Sequence, residues 1–216
     1  MKKGFWMMFM LIVFMLSHVV SFAQEGKNEE GYVFTTQKEV KYTPVKNQNR
    51  SGTCWSYSGI GFLECELLRQ GKGEYDLSDM WIVKKAYRDK ADVYVRMHGN
   101  YNFGGGGAFF DVFNMIAKYG IMPEEAFPGN QYGTELPVHG ELDAILKAYV
   151  DAVIENNNKK LSTAWKNGYD AVLSAYLGDD PATFTVNGKE FTPQSYAASL
   201  GLNFDDYISI TSFTHH

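Results

Sequence analysis

The sequence predicts an α+β fold that is mostly helical, and three observations carry that reading. Apolar residues recur at helical spacing in successive stretches between about residues 53 and 177. Asn187-Gly188 separates two short runs of strand-forming residues, the pattern of a β-hairpin closed by a type I′ turn. Residues 207–213 then alternate in the manner of a strand. With 45% hydrophobic and 15% aromatic residues, the 216-residue chain has the means to build one core, or part of a larger one.

The first segment, residues 1–23, reads as an export signal. Lys2 and Lys3 charge its start, residues 5–20 form an apolar run broken only at Ser17 and His18, and Ser21-Phe22-Ala23 supplies a cleavage site before Gln24. The run is short for a membrane anchor, and no cysteine follows the cleavage point to carry a lipid. The expected product, residues 24–216, is exported, periplasmic or secreted, and free of the membrane. Without Lys2 and Lys3 it carries 18 basic and 25 acidic residues, about −7. Its basic residues are scattered, which excludes nucleic acid as a natural partner.

The remaining elements follow in order. Residues 24–42 are polar and form an arm, and residues 44–52 form a loop rich in turn residues. A helix is expected over residues 53–70, capped by Thr53 and ended by Gly71, with Tyr57, Ile60, Gly61, Cys65 and Leu68 on its buried face. Gly59 and Gly61 cost about 1 kcal/mol each inside it, which points to close packing. Ser78 caps a second helix reaching about Asp89. A flexible glycine loop, residues 104–107, precedes a third helix over residues 108–119 that Gly120 closes. Leu142, Ile145, Leu146, Tyr149 and Val153 mark a fourth, and residues 161–177 a fifth, which together make a helical hairpin. The β-hairpin spans residues 183–191, and Thr192-Pro193 opens a short helix.

The two cysteines bear on chemistry. Cys54 and Cys65 fall on one predicted helix, about 16 Å apart along its axis, whereas a disulfide needs Cα atoms within about 7 Å. They cannot bridge there, and an exported chain that keeps free thiols needs a reason for at least one of them. A thiol attacks a carbonyl only as thiolate, and the first turn of a helix favours negative charge. Cys54 sits at such a start, while Cys65 reads as a core residue. The oxyanion formed by attack needs donors: the Cys54 N–H is one, and the Gln48 amide, six residues upstream, is the second candidate.

The segment Gln48-Asn49-Arg50-Ser51-Gly52-Thr53-Cys54-Trp55 resembles the active-site segment of papain-like cysteine peptidases. The Gln-to-Cys spacing and the Gly-x-Cys-Trp string both fit, with Ser51 in place of the first cysteine of the related Cys-Gly-[Ser/Ala]-Cys-[Trp/Tyr] signature. Gly106-Gly107, eleven residues before Tyr119-Gly120-Ile121, and the helix start Leu77-Ser78-Asp79 are similar to family motifs. In papain the cysteine that Ser51 replaces bonds one at the position of Gly104, so both partners are absent together. The segments from Glu141 to Phe213 look like the bleomycin hydrolase, or aminopeptidase C, branch. The resemblance covers about residues 42–216. It implies a papain-like fold of which this is the mostly helical N-terminal part, with a family-specific helical and hairpin insertion at about residues 133–206. It makes Cys54 the nucleophile, Gln48 the oxyanion donor, and Gly106 and Gly107 a backbone rail for the peptide substrate. Trp55, packed beside Cys54, joins them on the substrate-binding side.

A base is missing from this inventory. In small papain-like enzymes the histidine follows the cysteine by about 130–150 residues, and that window, about residues 184–204, contains none. His98 and His139 read as surface residues, and His215 and His216 end the sequence. The expectation is an aminopeptidase chain lacking its His and Asn half and inactive alone. The rival readings are a non-catalytic peptide-binding module and a subunit completed by another chain. Neither cofactor nor metal is implied, since no His/Cys ligand cluster is present. The branch resembled forms closed hexamers, so the resemblance also implies a homo-oligomer.

Overall fold

Helix α1, Cys54–Arg69, packs against the two helices that follow it in the chain. The computed structural model describes residues 34–157, 160–208 and 210. The chain divides into two units, Met1–Glu39 and Val40–His216. In the first, the described residues 34–39 are exposed and have no helix or strand. The expected export signal at residues 1–23 lies outside the described residues. No helix among them is long and apolar enough to cross a membrane.

Within the second unit α1 packs on α2, Asp79–Arg96, and on α3, Phe109–Tyr119. A helical hairpin, α4 (Gly140–Ile154) and α5 (Ala164–Leu177), packs on α2. Strands β1 (Phe184–Val186) and β2 (Lys189–Phe191) form a two-stranded antiparallel sheet, and α6, Pro193–Ser199, lies against α3. Short 3-10 turns occupy Glu124–Ala126 and Phe204–Asp206. This is an α+β architecture.

Local chemistry accounts for most boundaries. The Ser78 Oγ accepts from Trp81 N at 3.0 Å and caps α2. That helix runs seven residues past the expected Asp89, because Ala91, Tyr94 and Val95 continue its buried stripe. The Asp111 carboxylate closes the start of α3 by accepting Ala108 N at 2.8 Å. Thr192 caps α6 through Ser195 N at 3.1 Å, with Pro193 at its first position. Asn187 and Gly188 have φ of 50° and 77°, the pair of positive values that a type I′ turn requires. Leu161 is exposed and precedes α5 rather than joining it. Of the predicted strand at residues 207–213, residues 207, 208 and 210 have no regular structure and the others lie outside the described residues.

The buried face of α1 differs from the expected one. Trp55, Ser56, Gly59, Ile60, Leu63, Glu64 and Leu67 are buried, whereas Tyr57, Gly61, Cys65 and Leu68 are only half-buried. The helix is wrapped on two sides, so its apolar stripe splits into a core face and a face lining a groove. Burying a side chain such as Leu63 or Leu67 fully contributes about 1.5–3 kcal/mol each, which favours the core face as the anchor. The cap also differs: the Thr53 hydroxyl makes no bond to the helix and instead pairs with Ser51 Oγ at 2.5 Å.

Helix α2 is the hub that ties the hairpin to α1. Lys84, fully buried on it, reaches Gly178 O at 2.5 Å, Ser174 Oγ at 3.0 Å and Asp180 at 2.8 Å. Lys85 also pairs with Asp180 and lies 3.8 Å from the centre of the Trp81 ring. Burial pushes the Lys85 pKa down to about 8, against the pull of Asp180. Removing either partner of such a buried pair leaves an uncompensated charge, so these bonds fix where α5 ends.

Candidate active site

The loop before α1 is held by short-range and long-range bonds together. The Asn47 side chain accepts Asn49 N at 2.9 Å, and Ser51 Oγ donates to Gln48 O at 2.8 Å, curling residues 47–52 back on themselves. Arg50 N donates to Pro137 O at 3.2 Å, His139 N donates to Arg50 O at 3.0 Å, and Asn49 Nδ2 donates to Pro137 O at 3.1 Å. The loop is thereby fastened to the segment that leads into α4. Cys54 follows as the first residue of α1 and is exposed. Among the described residues its N–H has no hydrogen-bond partner, and neither does the half-buried Gln48 amide. Both are free to donate to a developing oxyanion.

The glycine loop lies on the Trp55 side of Cys54. Trp55 is 5% exposed, and its Nε1 donates to Gly105 O at 2.9 Å. A side-chain carbon on Gly107 would come within 2.6 Å of the Trp55 ring, so only glycine permits this approach. Trp55 thus supports Gly106 and Gly107, both exposed, from beneath.

On the other side a groove of about 490 Å³ runs along α1, lined by Tyr42, Pro44, Cys54, Tyr57, Gly61 and Cys65 among others. Cys65, expected in the core, is half-buried on this groove, with Thr43 Oγ1 4.0 Å from its sulfur. The reason is the split of the α1 stripe described above.

An ion cluster that sequence reasoning missed fixes the loop before α1 beside this groove. Lys46 Nζ meets Asp76 at 2.7 Å, Asp79 at 3.1 Å and Glu64 at 3.2 Å. Glu64, 1% exposed, also accepts Leu77 N at 2.8 Å and Thr43 Oγ1 at 3.1 Å. Burial works to lower the Lys46 pKa, yet Asp79, Asp76 and Glu64 together raise it above the ordinary lysine range. Glu124 and Asp79 each keep one buried oxygen without a hydrogen-bond partner. Burial pushes the Asp79 carboxyl up to about 6 despite Lys46, and the Glu124 carboxyl up to about 8. The only sequence signal was a glutamate, Glu64, within an apolar helix.

The described histidines do not meet Cys54 in any hydrogen bond. His98 is exposed just past the end of α2. His139, expected at the surface, is 3% exposed. Its backbone is bound to Arg50, and its ring packs 6.4 Å from that of Tyr87. Burial lowers its pKa, with Asp143 opposing, and its Nδ1 lacks a partner. Among the described residues no group of three or more His, Cys, Asp or Glu side chains is arranged to hold a metal ion.

Residues 33–198 match the family described as papain family cysteine protease. Cysteine proteinase 1 of Entamoeba histolytica is 29% identical over 137 residues, covering 61% of this chain and 39% of its own length. Aminopeptidase G of Lactobacillus delbrueckii subsp. lactis is 22% identical over 220 residues, covering 85% of this chain and 50% of its own. The crystal structure of PepW from Lactobacillus rhamnosis matches with a TM-score of 0.60 at 20% identity, over 80% of this chain and 47% of that one. That likeness is one of fold. The chain spans half or less of the length of these curated relatives.

Proposed function

The chain belongs to the papain family of cysteine proteases, and on that premise we propose that it carries the nucleophile side of a cysteine aminopeptidase of the bleomycin hydrolase type. One observation carries the reading: an exposed Cys54 opens α1 with its own N–H and the Gln48 amide both unbonded, beside a glycine loop seated on Trp55. The aminopeptidase assignment is supported by the relative that spans 85% of this chain.

In this mechanism the Cys54 thiolate attacks the carbonyl carbon of a peptide bond, and the oxyanion is received by Cys54 N–H and Gln48 Nε2. The amine leaves with a proton from the general acid, and water then cleaves the thioester. The histidine that takes the thiol proton and returns it to the amine is not His98 or His139, given where these two lie. It comes from outside the described residues; this reading predicts no turnover by residues 1–216 expressed by themselves. The protein acts after export, with a mature chain beginning at Gln24.

The test is release of aminomethylcoumarin from amino-acid amides by the protein purified from its natural host, by its Cys54→Ala variant, and by residues 1–216 alone. Turnover by the host protein only, lost in Cys54→Ala, is the expected result. Peptide binding without turnover by the host protein would favour a non-catalytic module. Turnover by residues 1–216 would place the base among their own histidines. Mass spectrometry of the host protein checks the Gln24 terminus, and a chain still starting at Met1 would refute export.

A further inference from the structure

Lys90 lies in the stretch of α2 beyond the expected helix end, and that extension brings its ammonium under the glycine loop. Its Nζ donates to Gly104 O at 3.1 Å and, more tightly, to Gly106 O. Trp55 Nε1 takes the carbonyl between them, Gly105 O, at 2.9 Å. Three successive carbonyls are therefore held by side chains from α1 and α2. In a planar trans peptide the C=O and the following N–H point in opposite directions. Holding Gly104, Gly105 and Gly106 by their oxygens turns the N–H groups of Gly105, Gly106 and Gly107 away from Lys90 and Trp55. Among the described residues none of these three N–H groups has a hydrogen-bond partner, and Gly106 and Gly107 are exposed.

A run of four glycines needs such an anchor. Glycine has the largest conformational freedom of any residue, and fixing a backbone residue costs about 1–2 kcal/mol. A loop ordered only when a ligand arrives draws that cost from binding. Lys90 removes it beforehand. The ammonium is held in turn, 5.5 Å from the centre of the Trp55 ring and 6.0 Å from that of Tyr87. A charged donor on Gly106 O also polarises the peptide it belongs to, which strengthens the Gly107 N–H as a donor.

We propose that Lys90 is a positioning residue for peptide ligands, fixing the glycine loop so that the Gly107 N–H meets a carbonyl of an extended peptide. The inference rests on the reading of Gly106 and Gly107 as a peptide rail, and its test separates the two. Cys54 is alkylated with a dipeptidyl chloromethyl ketone and, separately, with chloroacetone, which has the same type of reactive group and no peptide. Peptide mapping gives the rate at Cys54 for wild type, Lys90→Met and Lys90→Arg. The wild type labels faster with the peptidyl reagent. Lys90→Met lowers that advantage by about two- to tenfold, the effect of one hydrogen bond, while its chloroacetone rate stays the same. Lys90→Arg, which keeps a charged donor, loses less.

No peptidyl advantage in the wild type overturns the rail reading and the inference with it. A wild-type advantage that survives in Lys90→Met overturns the role of Lys90 alone, and an equal fall with both reagents marks a general disturbance and overturns it too. A measurement on the wild type needs no variant: with 13C-carbonyl glycine, the Gly106 resonance should move as Lys90 loses its proton, below the ordinary lysine range because burial disfavours the charge. A Gly106 resonance that stays still through that titration overturns the proposal.

Discussion

A side-chain carbon placed on Gly59 would lie 2.5 Å from Val112 Cγ2, so the Val112 side chain of α3 seats directly on the α1 backbone. Val112 is fully buried and β-branched, and cannot move aside. Gly59→Ala gains about 1 kcal/mol of helix propensity but overpacks at a cost of about 1–3 kcal/mol. Gly61, two residues on, has nothing within 4 Å of that position and faces the groove. Gly61→Ala should therefore stabilise by up to about 1 kcal/mol, while Gly59→Ala destabilises. Urea denaturation midpoints give both signs, and shifts in the same direction would contradict the packing.

The thiols differ in access. Cys54 is exposed at the mouth of the groove, and Cys65 is half-buried further along it beside Thr43. Brief iodoacetamide treatment followed by peptide mapping should show Cys54 modified first. Cys54→Ser should remove the fast phase and leave the slow one. Equal rates would mean that the groove opens as widely at Cys65 as at Cys54.

Motifs and periodicity made the helices, the hairpin and the loop-to-helix start at Cys54 legible, because each is set by local rules. The Asn187-Gly188 turn and the Ser78 cap are examples. What failed depended on neighbours distant in sequence. Of the predicted α1 stripe, Tyr57, Ile60, Gly61, Cys65 and Leu68, only Ile60 lies in the core, because periodicity does not say which of two apolar faces meets it. His139 was placed at the surface because its burial comes from the bond to Arg50 and the packing on Tyr87. Helix α2 outruns the expected end at Asp89 because Ala91, Tyr94 and Val95 find the core and Lys90 is spent on the glycine loop. The Lys46 cluster joins groups from the loop before α1, from α1 itself and from the start of α2, a meeting that no local pattern announces.

Stability should fall as pH rises from about 6.5 to 8. The Glu124 carboxyl holds its proton up to about 8 in the folded chain, while an unfolded glutamate releases it near about 4.3. Across that interval the folded state binds the extra proton, so its stability is greatest below the unfolded value and is lost as pH rises through the folded one. Asp79 acts in the same sense only up to about 6. His139 acts in the opposite sense, below the ordinary histidine value, because its folded pKa is lowered. Above pH 6.5 Glu124 dominates, and Lys85, whose folded pKa burial lowers to about 8, opposes it only at the top of the interval. The thermal midpoint should drop between pH 6.5 and 8 in the wild type and stay nearly level in Glu124→Gln. A wild-type midpoint that rises over this interval would remove the buried-acid assignment.

The sharpest consequence concerns Gln48. Its amide is unbonded among the described residues, and the loop that carries it is curled by Ser51 and fastened to Pro137 and His139. The side chain is therefore placed without being spent on the fold, as a transition-state donor requires. In protein from the natural host, Gln48→Ala should lower kcat by roughly 10²–10³, the cost of one oxyanion donor, with a smaller effect on KM. Gln48→Glu should be at least as harmful, because a carboxylate repels the oxyanion and cannot donate. Alkylation of Cys54 by chloroacetone, which needs no oxyanion of this kind, should change little in Gln48→Ala. Amidase kinetics and the alkylation rate, measured on the same preparations, distinguish a lost donor from a disturbed nucleophile. If Gln48→Ala retains wild-type kcat, the donor is another group. If both rates fall together, Gln48 acts by holding the loop that carries Cys54.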